Sequence, residues 1–307
     1  MIAAIMIGRS ATYLVKALIP IGQHFKISEF AISFLLMAFA TSLPELFVGV
    51  LAATQHTAEL AIGTIIGSNI ADLTVVMGIS AIVAGTLRVR SIIKKKDIIY
   101  MSGITFILIL LLLDGSLSRP DSFILLMIYG YYIYRLFTQK KKFESKAVSV
   151  SNEEFMRSLG ILIASIIGLI ISAELIVWSA EQIADTLSIP LTLIGIVVVA
   201  FGTSLPELSF EITAIKNKHH DMVLGDVIGS VVTNSALVIG IIGLINPVNS
   251  LDLGLINTGL MILAFVTFVA LYFVKNDSKL TMREGIALMF IYVCFIFLEY
   301  LVKMIGI

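Results

Sequence analysis

Two identical polar pentapeptides interrupt an otherwise apolar sequence, and each combines hydroxyls, a proline and an acid. The sequence Thr-Ser-Leu-Pro-Glu ends once at Glu45 and again at Glu207. The threonines, Thr41 and Thr203, lie four residues before the acids, so on a helix the hydroxyl and the carboxylate share one face. Each pentapeptide therefore presents two oxygen-bearing side chains on one face of its helix.

A second pair of polar residues follows each pentapeptide on the next apolar segment. Ser68 and Asp72 follow the first copy, and Ser230 and Asn234 follow the second, again four residues apart. Carboxylates, hydroxyls, an amide and carbonyls all present oxygen, which hard cations such as Ca²⁺ and Na⁺ prefer. A zinc or copper site would call for His or Cys, and the segments around these motifs have neither. The pattern therefore predicts an oxygen-lined site for a hard cation.

The proline of each pentapeptide predicts a break in its helix. A proline removes one backbone donor and clashes with the carbonyl four residues earlier, which is Ala40 for Pro44 and Gly202 for Pro206. Backbone oxygens freed inside a membrane are tolerated only where protein, water or an ion satisfies them. A broken helix at these motifs thus indicates a cavity lined with ligands.

The composition places these motifs in a membrane protein. The chain has 307 residues, of which 58% are hydrophobic and 14% charged, with a mean hydropathy of +1.03. Apolar stretches of about 20 residues recur, each able to cross a hydrocarbon core roughly 30 Å thick as a helix. An acid in mid-span costs roughly 2.5 to 3.5 kcal/mol, so Glu45, Asp72 and Glu207 favour a functional site. The net charge of +0 leaves no field to attract nucleic acid.

Nine polar interruptions divide the chain into about ten apolar segments. Alternate interruptions are basic, which by the positive-inside rule predicts that they are cytoplasmic and that both termini are extracellular. The longest interruption begins near residue 138 and leaves five segments on either side. The basic residues are Lys26; Arg88, Arg90 and Lys94 to Lys96; Lys140 to Lys142 and Lys146; Lys216 and Lys218; and Lys275, Lys279 and Arg283.

The two halves of the chain are related by an internal repeat. A shift of 162 positions aligns residues 38–46, AFATSLPEL, with residues 200–208, AFGTSLPEL, without a gap. Because each half has an odd number of predicted helices, the second copy must be inverted in the membrane relative to the first. We therefore predict an all-α membrane protein of about ten transmembrane helices, arranged as two inverted five-helix repeats with broken or kinked helices at the ion site. The first repeat spans 1–138, a cytoplasmic linker 139–156 and the second repeat 157–307.

The two pentapeptides, each followed by a Gly-x-x-Ile-Gly-Ser segment with a later Asp or Asn, resemble the α1 and α2 repeats of the cation/Ca²⁺ exchanger family, prokaryotic Na⁺/Ca²⁺ exchanger type. The resemblance runs over nearly the whole chain. It implies four adjoining cation sites, one for Ca²⁺ between the two glutamates and the others for Na⁺. The implied ligands are the backbone oxygens of Ala38 and Ala200 and the side chains of Thr41, Ser42, Glu45, Ser68, Asp72, Thr203, Ser204, Glu207, Ser230 and Asn234.

One pair of implied ligands departs from the pattern of archaeal-type relatives. Those relatives carry Asn in the first repeat and Asp in the second at the positions of Asp72 and Asn234, and here the two are exchanged. The exchange leaves the number of ligands and the total charge unchanged. It alters which helix brings the charge to the Na⁺ sites.

The resemblance implies a secondary antiporter of the cell membrane that exchanges Na⁺ for Ca²⁺ by alternating access, with helices near residues 1–22 and 160–183 as the moving pair. H⁺/Ca²⁺ exchange is the alternative within the family. Proton-coupled relatives typically carry Gly-Asn-x-x-Glu at the motif, so the two Thr-Ser-Leu-Pro-Glu copies favour Na⁺, and K⁺ dependence is a smaller alternative. A cation channel could use the same acids, but channels usually build a pore from several identical subunits or a selectivity loop.

An enzymatic function is not indicated by these motifs. An intramembrane protease would need a base to activate a nucleophile, and the pentapeptide offers only hydroxyls and a carboxylate. We expect no cofactor, since Ca²⁺ and Na⁺ are the implied substrates. The lipid bilayer is the expected surrounding, and neither nucleic acid nor a protein partner is implied.

Two further acids each leave two interpretations open. Glu211 lies one helical turn beyond Glu207 and could extend the ion path or be solvated near the end of its helix. Glu174 precedes the second pentapeptide and could line the path or bond a neighbouring helix. For Glu174 we favour the bond to a neighbouring helix.

Overall fold

In a computed structural model, most of the residues that are described are helical. The described residues are 2–24, 39, 41–88, 95–138, 150–216, 220–251, 253–277 and 279–305. The helical segments of the first half are α1 (Ile2–His24), α2 (Leu43–Thr54), α3, α4 (Lys95–Leu112) and α5 (Arg119–Thr138). Helix α3 is built from three consecutive pieces: Ala58–Ala71, a π-helical segment Asp72–Val76, and Met77–Ala84.

The second half contains comparable segments, again with π-helical insertions. Helix α6 (Asn152–Leu187) is followed by α7, which has two parts. The first part, α7a, combines Leu191–Ile194, the π-helical Gly195–Val199 and Ala200–Thr203, and the second part, α7b, is Leu205–Lys216. The remaining helices are α8, made of His220–Val232, the π-helical Thr233–Val238 and Ile239–Ile245, then α9 (Leu253–Asp277) and α10 (Met282–Ile305).

Six segments of the described chain are long and apolar enough to cross a membrane. Shorter apolar helices cover Ile2–Leu14 and Leu43–Thr54. The expectation of a multi-spanning helical membrane protein is therefore confirmed. The six segments are Ala58–Ala84, Asn152–Leu187, Leu191–Lys216, Val223–Ile245, Ile256–Phe273 and Met282–Val302.

Two short backbone pairings join loops from different halves of the chain. Strand β1 (Thr86–Arg88) pairs antiparallel with strand β2 (Lys279–Thr281), and Leu117 forms an antiparallel bridge with Val248. The repeat shift of 162 residues carries the start of β1 onto Val248 and Leu117 onto the start of β2. The two pairings are therefore counterparts of each other under the repeat.

The two strands are a small exception in a mostly helical structure. Each is only three residues long, too short for alternation of apolar and polar residues to indicate a strand. Gly85, with φ +70°, ends α3 and turns the chain into β1, and this left-handed conformation favours glycine. The strands form because two helix ends that are far apart in sequence lie side by side.

Small residues let α3 and α7a approach closely. A Cβ on Gly63 would lie 2.5 Å from the carbonyl oxygen of Thr192, and one on Gly67 would overlap the carbonyl oxygen of Ile196. Gly195 makes the reciprocal approach to the backbone of α3. Glycines at such contacts let two helix backbones pack directly. This contact holds Ser68 and Asp72 of α3 against the break between α7a and α7b.

Helices α1 and α6 pack extensively against each other. Gly168 of α6 leaves room for the side chain of Ser10 on α1. These two helices contain the segments that the family resemblance implies as the moving pair.

Candidate cation site

Both pentapeptides lie at a break between helical segments. Ser42 has φ −80° and ψ 1°, and Ser204 has φ −81° and ψ 0°, so the chain leaves helical geometry in the same way twice. Pro44 and Pro206 fall in the first turn of α2 and α7b, where a missing N–H removes no helical bond. The structure thus has the helix break that the prolines predict in both halves.

The predicted ligands lie in the protein interior. Every one that the structure describes has at most 4% of its surface exposed. Ala38 lies outside the described residues. The buried ones are Thr41, Ser42, Glu45, Ser68, Asp72, Ala200, Thr203, Ser204, Glu207, Ser230 and Asn234.

Hydroxyl groups from the two repeats meet in pairs. Thr41 Oγ1 lies 3.1 Å from Ser230 Oγ, and Ser68 Oγ lies 2.8 Å from Ser204 Oγ. Each pair joins a pentapeptide of one half to the following helix of the other half. The structure therefore brings the two sets of predicted ligands together at the interface between the repeats.

The three carboxylates of the set have unused oxygen atoms. Glu45 accepts a hydrogen bond from Ser68 Oγ at 2.9 Å, but its Oε2 atom has no hydrogen-bond partner among the described residues. Both carboxylate oxygens of Glu207 and both of Asp72 are also unpartnered within that part of the chain. No Lys or Arg of the described residues forms an ion pair with any of the three. Glu207 interacts electrostatically with both Glu45 and Asp72, so the acids belong to one group.

A buried charge without a partner is costly, and like charges close together raise that cost. Bound cations would remove it, because hard cations bind carboxylate and hydroxyl oxygens together. Within the described residues, no three Asp, Glu, His or Cys side chains are close enough together to enclose a metal ion by themselves. An ion held here would thus need hydroxyl or backbone oxygens beside the carboxylates, and the paired hydroxyls are positioned to supply them.

Helices α3 and α8 carry their polar residues on π-helical segments. Asp72 begins the π-helical segment of α3, and Asn234 is the second residue of the one in α8. Both atoms of the Asn234 amide group lack a hydrogen-bond partner in the described chain. π-helical turns are frequent at functional sites, and these two occur at positions related by the repeat. The exchanged Asp and Asn therefore occupy matching local structures.

The carbonyl oxygen of Ala200 is already hydrogen-bonded. It accepts from the backbone N–H of Ser204 at 3.0 Å and from the Thr203 hydroxyl at 3.1 Å. The Thr203 hydroxyl also lies 3.2 Å from the carbonyl oxygen of Val199, so it can donate there and leave one lone pair of Ala200 open to an ion. Because that hydroxyl is itself an implied ligand, it could turn toward the same ion.

Asp226 is a buried acid that the sequence analysis missed. It has 4% of its surface exposed, and Thr41 Oγ1 donates a hydrogen bond to its Oδ1 atom at 3.2 Å. Asp226 lies four residues before Ser230 and eight before Asn234, on one face of α8. Extending the four-residue spacing one turn backward would have found it.

The two acids with open interpretations have different surroundings. Glu211 is fully buried and accepts a hydrogen bond from the Ser80 hydroxyl, so the interpretation as a solvated residue was wrong. Glu174 is exposed, and its two carboxylate oxygens accept from Gln55 Nε2 at 3.0 and 2.9 Å. Glu174 thus bonds a neighbouring helical region, as we favoured.

Broken helices that meet at buried polar residues inside a multi-spanning membrane protein define the class of secondary transporters. Comparison with known proteins identifies the family. The model of the sodium/calcium exchanger protein family matches residues 1–138 and 157–301, and the chain belongs to this family. Its relatives are exchangers rather than enzymes, and the chain is accordingly a multi-pass membrane protein of cation/Ca²⁺ exchange.

Individual relatives are similar over almost their full length. An uncharacterized membrane protein of Methanocaldococcus jannaschii is 31% identical over 89% of this chain and 87% of its own length. The sodium/calcium exchanger MaX1 of Methanosarcina acetivorans is 26% identical over 96% of both chains. A solved structure of the sodium-calcium exchanger NCX_Mj, soaked with Na⁺ and Sr²⁺, matches with a TM-score of 0.70 at 30% identity, covering 95% of this chain and 94% of the other.

Proposed function

We propose that this protein is an antiporter that exchanges Na⁺ for Ca²⁺ across the cell membrane by alternating access. The observation that carries the proposal is the cluster of unpartnered carboxylate oxygens on Glu45, Glu207 and Asp72, buried where the two repeats meet. Ca²⁺ and Na⁺ would compete for these oxygens, and each ion would neutralise acids that have no basic partner among the described residues. The solved exchanger with a similar fold was soaked with Na⁺ and Sr²⁺, which supports this ion class.

In this proposal, Glu45 and Glu207 are the principal Ca²⁺ ligands and the remaining predicted residues complete the Na⁺ sites. Three observations support the assignment: the residues are buried, they come from both repeats, and their hydroxyls meet in pairs. Ala38 and Ala200 contribute backbone oxygens in the same assignment. Helices α1 and α6, which pack along each other, are the pair that moves to open the site to either side.

The proposed membrane arrangement has ten spans in two inverted repeats, 1–138 and 157–307, with 139–156 as a cytoplasmic linker. The two loop pairings support it. In a ten-span chain, the chain crosses the membrane six times between β1 and β2 and four times between Leu117 and Val248. Because an even number of crossings returns the chain to the same side, each pairing joins two loops on one side of the membrane. The pairings are also counterparts under the repeat, as an inverted pair of halves requires.

Counterflow in membrane vesicles tests the function. Vesicles containing the purified protein are loaded with Na⁺, and ⁴⁵Ca²⁺ uptake is compared with that of vesicles given only a pH gradient. We expect uptake to require internal Na⁺ and to saturate with Ca²⁺. Uptake that follows the pH gradient alone would make the protein an H⁺/Ca²⁺ exchanger. Uptake that needs no counter-ion and does not saturate would indicate a channel.

Cysteine accessibility tests the proposed orientation. With Cys294 replaced by Ser, single cysteines are placed at the C-terminus and beside Lys141, and each is labelled from outside intact cells. We expect the C-terminal cysteine to react and the one beside Lys141 to be protected. Reaction of both from the same side would rule out ten spans.

A further inference from the structure

A second polar cluster lies one helical turn from the central site. Glu211 follows Glu207 by four residues on α7b, and its side chain is fully buried. The hydroxyl of Ser80, on α3, donates a hydrogen bond to Glu211 Oε2. The other oxygen, Oε1, has no hydrogen-bond partner among the described residues. A buried carboxylate with an open oxygen indicates that something further binds there.

Asp226 of α8 adds a second carboxylate to this cluster. The helices of the two acids, α7b and α8, are in contact, and the like charges of Glu211 and Asp226 interact electrostatically. Thr41 Oγ1 donates to Asp226 Oδ1 at 3.2 Å, so the cluster is connected to the central site through a predicted ligand. No Lys or Arg of the described chain pairs with either acid. Three helices thus bring two carboxylates and a hydroxyl together without a positive charge.

The cluster has no counterpart in the other half of the molecule. Under the repeat shift, Glu211 is equivalent to Gly49 and Asp226 to Thr64. Ser80 is equivalent to Ile242. The equivalent position in the other half is filled with apolar atoms, since a Cβ on Gly49 would lie 2.9 Å from Ile242 Cδ1. The Thr64 hydroxyl donates to a carbonyl oxygen of its own helix. Neither the fold nor the repeat therefore requires acids at this position.

The cluster lies toward the basic end of the helices. Glu211 is four residues beyond Glu207 in the direction of Lys216, and Ser80 is eight residues beyond Asp72 in the direction of Arg88. Both directions lead to basic loops. An ion that travels between those loops and the central site would pass Glu211 and Asp226.

We propose that Glu211, Asp226 and Ser80 form an additional Ca²⁺-binding site between the central site and the basic loops. The assignment of a transport role to it rests on the proposed exchange function, whereas Ca²⁺ binding itself does not. Two carboxylates match the charge of one divalent cation, and carboxylate and hydroxyl oxygens are the ligands that Ca²⁺ accepts. The site serves exchange from one side of the membrane only, because its counterpart on the other side is packed with apolar atoms.

Equilibrium binding in detergent tests the site independently of transport. The background variant Glu45→Gln with Glu207→Gln removes the two central carboxylates, and ⁴⁵Ca²⁺ binding is measured per chain. We expect one residual Ca²⁺, and we expect Glu211→Gln added to this background to weaken it by about tenfold or more. Glu174→Gln is the matched control, since Glu174 is exposed and bonded to Gln55, and it should leave binding unchanged. Gel filtration and the fluorescence of Trp178, the single tryptophan, establish that each variant is folded.

If the background variant binds no Ca²⁺, or if Glu211→Gln leaves its binding unchanged, the site does not exist and Glu211 only packs against Ser80. Should Glu211→Gln fail to fold, Ser80→Ala and Glu211→Asp replace it, and both are expected to weaken binding. In the otherwise wild-type protein, Glu211→Gln should raise the KM for Ca²⁺ by about tenfold from the side of the basic loops and leave the other side unchanged. Wild-type protein that binds this Ca²⁺ but shows no Na⁺-driven flux would refute the proposed function and leave the site intact.

Discussion

At the centre of the molecule both repeats supply buried oxygen ligands, while one turn away they differ. Each pentapeptide places a hydroxyl against the following helix of the other half, although the first half uses its threonine, Thr41 with Ser230, and the second its serine, Ser204 with Ser68. The contact of Ser80 with Glu211, by contrast, is replaced in the other half by an apolar contact between their repeat equivalents. Residues shared by both repeats can treat the two sides of the membrane alike, and residues found in one repeat can distinguish them.

The largest expected effect comes from the shared glutamates. Glu45→Gln and Glu207→Gln should each lower Ca²⁺ transport by about a hundredfold or more, because each removes a charged oxygen ligand that the other repeat cannot replace. The measurement is ⁴⁵Ca²⁺ uptake into Na⁺-loaded vesicles, with gel filtration to show that the variants fold. Transport near the wild-type rate in either variant would make that carboxylate structural and break the equivalence of the halves.

The next largest effect concerns the helix contact that holds the halves together. Gly67→Ala places a Cβ against the backbone carbonyl oxygen of Ile196 and 2.7 Å from the Cβ of Ala200. Overpacking of this kind costs about 1 to 3 kcal/mol, and we expect the upper end because the backbone cannot move aside easily. The measurement is the thermal midpoint of unfolding in detergent.

Gly130→Ala is the control for that substitution, since a Cβ on Gly130 has no atom within 4 Å. It should leave the midpoint unchanged or raise it slightly, because alanine favours helix by about 1 kcal/mol over glycine. Equal midpoints for the two variants would mean that α3 and α7a are not in direct backbone contact.

The exchanged pair of Asp72 and Asn234 should show a smaller and selective effect. Asp72→Asn removes one negative charge from a site of low dielectric constant, and it should weaken Na⁺ binding more than Ca²⁺ binding. The double variant Asp72→Asn with Asn234→Asp should keep Na⁺-driven Ca²⁺ transport, because the total charge is restored at a position related by the repeat. ⁴⁵Ca²⁺ flux against internal Na⁺ and Ca²⁺ self-exchange measure the two effects. A double variant as inactive as Glu45→Gln would show that the helices are not interchangeable here.

The smallest effect concerns a hydrogen bond that has no counterpart under the repeat. Asn69 Nδ2 donates to Ser235 Oγ at 2.9 Å between α3 and α8, while the repeat equivalents are Val231 and Leu73. Ser235→Ala should lower stability by about 1 kcal/mol and leave the dependence of transport on Na⁺ unchanged. A thermal midpoint in detergent and the vesicle assay test both parts, and a shifted Na⁺ dependence would place Ser235 at the ion site.

The sequence predicted the parts of the site that follow from local chemistry. The helix breaks follow from Pro44 and Pro206, because proline acts on the backbone of its own helix. The repeat identified which residues are equivalent. It did not indicate that Thr41 pairs with Ser230, since that contact spans 189 residues and depends on how whole helices pack.

Asp226 was missed, and the two interpretations of Glu211 stayed open, for a related reason. Comparison of the two halves identifies residues that both halves share. It does not single out Asp226, which aligns with Thr64, or Glu211, which aligns with Gly49. Burial separates these acids from solvated ones, and burial depends on neighbouring helices. Only the helical spacing from Asp226 to Ser230 was available as a local signal.

The pairing of hydroxyls across the repeats also bears on how the protein is made. While the ribosome is still synthesising the second half, Glu45 and Ser68 are already in or near the bilayer without Ser204, and Thr41 is there without Ser230. The nascent first half therefore lacks the hydroxyl partners of Ser68 and Thr41 until α7 and α8 arrive, and unsatisfied polar groups in lipid are costly. The arrival of α7 and α8, rather than the insertion of the first five helices, is the step at which these hydroxyls gain their partners.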